Sequence, residues 1–147
     1  MTQEFSTTTV SPKIVILEGC DRTGKGSLQL AINKLTRYKH IVIDRGPVGF
    51  KAYCQIFNKE QDLNDKYQTI EESFLKLDNV VMIYLTASDE ELQRRCEETD
   101  HEFIDYPLHK FFYEKEFDKS RLEKYSFDTT HTAPEVIVQQ LVKMGVL

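Results

Sequence analysis

The chain has 147 residues, 40% hydrophobic and 29% charged, with a net charge of −5 and a sequence pI near 5.4. That length suits one core, and that balance excludes a disordered chain and argues against a general nucleic-acid binder, which would show a basic face. No apolar stretch approaches the ~20 residues of a membrane span, no basic start and apolar run marks a signal peptide, and the scattered Cys20, Cys54 and Cys96 and the four dispersed histidines form no zinc pattern but suit a reducing cytoplasm.

Residues 1–11 are polar and rich in Thr and Ser, which predicts a flexible N-terminal tail, with residues 12–147 as a single domain. After Pro12, the run Lys13-Ile14-Val15-Ile16-Leu17-Glu18 is short, apolar and β-branched, as expected of a strand buried on both faces of a parallel sheet. A glycine-rich turn follows. From Lys25 to about Tyr38 the spacing of Leu28, Ala31, Ile32 and Leu35 predicts a helix. His40–Asp44 reads as a second strand, broken at Gly46-Pro47, and a helix is expected from Val48 to Phe57. Residues 59–66 are polar and read as a loop before a helix over Tyr67–Leu77. Val80–Leu85 is the third strand. Ser88 with Glu91 forms a capping-box pattern opening a helix to about Glu98. Residues 99–105 show no period. A charged amphipathic helix is expected over Leu108–Lys124, with a solvated run from Glu114 and with Phe103, Phe111, Phe112 and Phe117 as packing residues. Tyr125–Asp128 reads as a short fourth strand, and Pro134 opens a last helix to Lys143. This alternation predicts an α/β three-layer sandwich with a small, four- to five-stranded parallel sheet.

The segment Gly19-Cys20-Asp21-Arg22-Thr23-Gly24-Lys25-Gly26-Ser27 fits G-x-x-x-x-G-K between a predicted strand and a predicted helix, the context that pattern requires. Glycines let several N–H groups converge on one hollow, and the helix start adds a positive dipole end. Gly19, Asp21, Thr23, Gly24, Lys25, Gly26 and Ser27 are therefore candidates for holding a triphosphate, with Lys25 reaching the β- and γ-phosphates. A plain glycine turn with a capping hydroxyl is the rival reading. Gly26 stands where a Ser or Thr usually ligates magnesium, so Ser27, one place later, is assigned an indirect contact to a phosphate or a metal-bound water.

Glu18-Gly19-Cys20-Asp21-Arg22-Thr23-Gly24-Lys25 resembles the E-G-x-D-x-x-G-K loop of thymidylate kinase. Asp44-Arg45 resembles that family's D-R motif, with Ala52-Tyr53 at the family's spacing. Tyr84–Ala87 with Glu90–Arg95 is similar to the strand and helix that lead into the lid of nucleoside-monophosphate kinases, and Asp128-Thr129-Thr130 resembles the strand end near the ATP base. Only 18 residues separate Lys25 from Asp44, room for one helix and one strand, so the likeness is to short P-loop kinases of this superfamily encoded by viruses of bacteria. The resemblance implies a P-loop kinase fold, Mg²⁺ and ATP as cofactor and phosphate donor, small-molecule nucleotides as partners, and a bacterial or infected-host cytoplasm. It implies phosphotransfer to a deoxynucleoside monophosphate such as dTMP. The alternatives are a kinase acting on a hydroxyl of a nucleoside or of hydroxymethyluracil in DNA, and a nucleotide-binding regulatory module. The acidic pI disfavours extended nucleic acid, no membrane partner is expected, and the oligomeric state is left open.

Under that resemblance Arg22 is the candidate for stabilising charge on the transferring phosphoryl group; a plain loop arginine is its rival. Asp44 falls at a strand end, where α/β sheets bind ligands. It is assigned either to magnesium through water or to the proton of an acceptor hydroxyl, against a simple helix cap. Arg45 would clamp an acceptor phosphate bidentately, and Asp21 would touch the acceptor sugar or the metal shell. Phe50 and Tyr53, three apart on one helix, are candidates to flank an acceptor base, with core packing equally open. Arg94 is the candidate lid arginine on ATP. Arg95 competes with it, and one of the pair is expected to be a solvated arginine paired with Glu90, Glu91 or Glu98.

Overall fold

The structure is a computed structural model that describes residues 10–147; residues 1–9 of the expected tail lie outside the described residues. Four strands, β1 (Ile14–Glu18), β2 (Ile41–Asp44), β3 (Val80–Thr86) and β4 (Glu123–Asp128), form a sheet in the order β2-β1-β3-β4. All pairings are parallel, with Leu17 opposite both Asp44 and Ile83, and Thr86 opposite Asp128. Helices α1 (Lys25–Leu35), α2 (Pro47–Ile56), α3 (Gln61–Leu75), α4 (Asp89–Glu98), α5 (Tyr106–Lys119) and α6 (Pro134–Lys143) cover the sheet.

The two-residue alternation of each strand sorts its side chains between the layers. Val15 and Leu17 of β1, with Val81, Ile83 and Leu85 of β3, join Leu28 and Ile32 of α1 and Ile137, Val138 and Leu141 of α6. Ile16 and Met82 face the other way, against Val48 of α2, while Tyr84 packs with Ala52 of α2 and Tyr113 of α5. Val15, Leu17, Val81, Ile83 and Met82 are fully buried, each contributing about 1.5–3 kcal/mol of apolar burial. The continuous apolar runs follow from this double coverage.

The helices depart from the sequence expectation where polar contacts replace apolar period. Residues 61–66, read as loop, are the first turns of α3. They are held by Gln61 Nε2 donating to Asp65 Oδ1 (2.9 Å) and by a Lys66–Asp62 ion pair (3.2 Å), contacts one turn apart that support a helix without burying a stripe. The charged helix ends at Lys119 instead of 124. There the Lys124 ammonium donates to the carbonyls of Phe117, Asp118 and Ser120 at 2.7, 3.1 and 2.8 Å, satisfying the acceptors of the last turn. The run from Glu114 is not wholly solvated either: Glu116, Ser120 and Leu122 are buried. The four phenylalanines split, Phe112 and Phe117 packing against the core while Phe103 and Phe111 are exposed. Ser88 caps α4 by accepting from the Glu91 amide at 3.1 Å. The return bond of a capping box is absent: the Ser88 amide donates to Thr130 Oγ1 (2.8 Å), and the Glu91 carboxylate turns to Arg94 and Arg95.

From β1 the chain crosses to β2 on one side and, later, to β3 on the other. The carboxyl ends of β1 and β3 thus flank a point where the winding reverses, where sheets of this kind leave a crevice for ligands. No helix among the described residues is long and apolar enough to cross a membrane.

Candidate functional site

The glycine loop emerges from β1 into that crevice. Gly19 has φ 141°, and a methyl carbon placed on it would lie 2.4 Å from the Leu85 carbonyl oxygen, so only glycine lets β1 turn this close to β3. Arg22 also takes a left-handed conformation (φ 69°), a local strain of the kind found at ligand clamps. The loop is pinned from across the sheet. Thr129 Oγ1 donates to the Thr23 carbonyl at 2.7 Å, and Arg95 Nη1 donates to the Arg22 carbonyl at 2.9 Å. Thr23 itself is buried and turns its hydroxyl to the Cys20 carbonyl (2.8 Å), so its side chain shapes the loop and leaves its backbone to face a ligand.

Lys25 opens α1. Its Nζ folds back onto its own loop, donating to Gly19 O at 2.8 Å and Cys20 O at 3.0 Å. Burial lowers its pKa, and Arg45 adds to that, while Asp44 and Asp21 oppose it. Gly24 caps α1 without a side-chain bond, which leaves the first amides of the helix without an intrahelical acceptor. Orphaned amides beside a buried ammonium that, among the described residues, hydrogen-bonds to carbonyl oxygens make a hollow suited to an anion.

The hollow belongs to a cleft of about 590 Å³ lined by Asp21 to Leu28, Asp44, Arg45, Leu85, Arg95, Glu98, Thr99, Thr129, Thr132, Pro134 and Ile137. Its cationic side chains are Arg22, Lys25, Arg45 and Arg95. Asp21, Asp44 and Glu98 are its carboxylates. Arg22 Nε donates to Thr99 Oγ1 (3.0 Å), and Asp21 sits 3.6 Å from His101 Nε2, so the segment after α4 touches the loop through both residues. Asp44 ends β2 exposed, and no described residue hydrogen-bonds its carboxylate. Arg45 follows in a left-handed conformation (φ 73°), its amide donating to Leu17 O at 2.8 Å as a continuation of the β1–β2 ladder.

The structure therefore gathers Asp21, Arg22, Thr23, Gly24, Lys25, Gly26, Ser27, Asp44 and Arg45 in one cleft, with Gly19 as its hinge. It does not bring Arg94 there. Arg94 is exposed on the outer side of α4, paired with Glu91 at 2.6 Å and with Glu98, and its closeness holds the Glu91 carboxyl well below the usual carboxylate range. Arg95 lines the cleft in its place, with Nη2 on the Thr129 carbonyl (2.8 Å) and Nε on Glu91 (2.8 Å). A one-residue step along a helix turns a side chain by about 100°, so adjacent arginines face different directions. Phe50 and Tyr53 also fall outside the cleft lining. Phe50 stacks on Tyr67 with ring centres 4.9 Å apart, and Tyr53 packs on Phe57 at 4.4 Å, both half-exposed on α2 beyond Arg45. Sequence reasoning gave no site role to Glu98, Thr99, Thr132 or the buried Glu18, although Glu18 opens the quoted loop pattern. For Glu18 a signal existed, a charged residue ending a strand buried on both faces.

No family model matches this sequence, and no curated protein matches it. Among solved structures the chain is similar to the YorR protein of Bacillus subtilis, whose crystal structure is a complex with phosphorylated GDP. The TM-score is 0.72 over 90% of this chain and 95% of that one, at 18% sequence identity. The likeness is one of fold.

Proposed function

We propose that the protein is an ATP-dependent phosphotransferase that moves the γ-phosphate to a deoxynucleoside monophosphate, dTMP or a close analogue. One observation carries this reading: the glycine loop and Lys25 share a single cleft with Asp44 and Arg45, so a triphosphate hollow and an acceptor-facing carboxylate and guanidinium open onto the same space. The nucleotide bound to YorR, a protein alike in fold, supports a nucleotide as the ligand.

Lys25 and the amides of residues 24–27 hold the β- and γ-phosphates. Arg22 leaves Thr99 to meet the charge spread over the transferring group, a contribution of about a thousandfold in rate. Arg45 grips the acceptor's phosphate, and Arg95, fixed on Thr129, flanks the donor on the β4 side. The oxygen donors present, Ser27, Asp44 and Asp21, fit magnesium, a hard cation that keeps several waters and leans on phosphate oxygens. Held there by Ser27, Asp21 and Asp44 through water, magnesium would supply charge neutralisation to the bound triphosphate.

A hydroxyl acceptor is the second reading, favoured by an exposed Asp44 carboxylate that no described residue hydrogen-bonds, which leaves it open to take a proton. Incubation with γ-labelled ATP and a panel of deoxynucleosides, deoxynucleoside monophosphates and hydroxymethylated DNA separates the two. Label is expected on a monophosphate, with Arg22→Ala lowering kcat by roughly a thousandfold. Asp44→Asn is expected to abolish transfer to a hydroxyl and to reduce transfer to a monophosphate less. Label found only in inorganic phosphate removes both kinase readings and leaves a nucleotide-binding module.

A further inference from the structure

Glu18 closes β1 one residue before the glycine loop, on the face of the sheet that meets α2 and α5, and it is fully buried. Its carboxylate accepts two backbone bonds from the start of α2: Oε1 from the Gly46 amide at 3.0 Å, and Oε2 from the Gly49 amide at 2.9 Å. Gly46 is the N-cap of α2, and Gly49 is its third residue. In a capping box those two amides are satisfied by each other's side chains. Here both residues are glycine, and the single carboxylate of β1 supplies both bonds from outside the helix.

The slot it occupies is narrow. A methyl carbon on Gly49 would lie 2.6 Å from Glu18 Oε1 and 2.8 Å from Arg45 Cγ. Arg45 is bracketed by this arrangement: its own amide is held by Leu17 O, and the next amide, that of Gly46, is held by Glu18. Two consecutive residues of β1 thus hold two consecutive amides at the end of β2, where Arg45 adopts its left-handed turn. Burial pushes the Glu18 carboxyl up to about 7, against the two amide bonds and the charges of Lys25 and Arg45. A group placed at that cost, with both oxygens spent on backbone, is fixing geometry.

We propose that Glu18 is a positioning residue that sets the acceptor arm, Arg45 with α2, in register with the donor loop that begins at Gly19. The inference rests on the phosphotransfer reading of the cleft. In-line transfer tolerates little error in the spacing of the reacting atoms, and Glu18 is the side chain that bonds the acceptor arm directly to the strand carrying the loop.

The test compares the unaltered protein with Glu18→Gln and Gly49→Ala in the labelled-ATP assay, with thermal melts on each to establish the folded fraction. Gln presents one carbonyl oxygen and an NH₂ that cannot accept from the second amide. Gly49→Ala keeps the Glu18 carboxyl group and fills the slot from the other side. Both variants are expected to lower kcat per folded molecule by at least about tenfold and to raise the acceptor KM, while the donor KM moves by less than about threefold. On an Arg45→Ala background, Glu18→Gln is expected to add no further loss, because its effect runs through Arg45. Normal kcat and acceptor KM in either folded variant overturn the proposal, as do losses that simply multiply with Arg45→Ala. If the unaltered protein itself labels no acceptor, the phosphotransfer reading falls first and this inference with it, so the two failures are read from different arms.

Discussion

Single residues in this chain hold unusual states for local reasons. His40 is buried at the far end of the sheet from the cleft, and its Nδ1 accepts from the Lys13 amide at 3.0 Å. Its proton therefore sits on Nε2, which meets no acceptor among the described residues. Burial pushes its pKa down to about 4 from the ordinary 6.5, with Lys39 and Lys13 adding to the effect. Between those values the unfolded imidazole binds a proton that the folded one refuses, so stability is complete above pH 6.5 and falls as pH drops towards 4. Urea midpoints measured at pH 7 and pH 5 are expected to differ less for His40→Gln, which keeps an acceptor for the Lys13 amide, than for the unaltered protein. Equal drops would contradict the assignment. The residue scale is also where the sequence is least legible. Arg94 and Arg95 are identical in type and adjacent, and only the three-dimensional partners Thr129 and Arg22 O single out Arg95.

At the scale of elements, α2, α3 and α5 are joined by a buried ionic cluster. Lys51 Nζ lies 3.4 Å from Glu71 and 3.6 Å from Glu116, donates to Gln68 Oε1 at 2.6 Å, and has almost no solvent access. Gln55 Nε2 donates to Glu116 Oε1 at 2.7 Å. One cation thus bridges two carboxylates drawn from different helices. Lys51→Met strands both acids in the interior and is expected to cost about 3–5 kcal/mol of unfolding free energy, read from urea denaturation. A loss under ~1 kcal/mol would mean the carboxylates reach water without it. This cluster explains why the elements on that face were harder to read than those on the other. The α1–α6 face is built from apolar side chains at helical and strand spacing, visible in Leu28, Ile32, Ile137 and Leu141. The α2–α3–α5 face relies in part on Lys51, Glu71 and Glu116, which look solvated in a sequence, and on a first turn of α3 held by polar pairs.

For the whole molecule, the order β2-β1-β3-β4 accounts for the site. A strand flanked on both sides by parallel partners sends its loop into the crevice where the winding reverses, and the end of β2 delivers Asp44 and Arg45 beside it. The glycine pattern, the strand before it and the helix after it were legible because the loop needs a local sequence. The pairing of that loop with Asp44 was legible because Asp44 closes a predicted strand, at the sheet edge where α/β folds bind ligands, and Asp44-Arg45 resembles a kinase D-R motif. The walls supplied by Glu98, Thr99 and Thr132 were not, since they come from elements more than 70 residues beyond the loop and carry no motif of their own.

The central claim is that the amides and ammonium at the start of α1 hold a polyphosphate. Calorimetric titration with the magnesium complex of a non-hydrolysable ATP analogue tests it most directly, run on the unaltered protein and on Lys25→Ala shown by its melt to be folded. One saturable site per chain is expected, weakened by at least about a hundredfold in Lys25→Ala, the scale of losing a buried charge-assisted contact. No heat of binding, or equal affinity in the two proteins, would contradict the account.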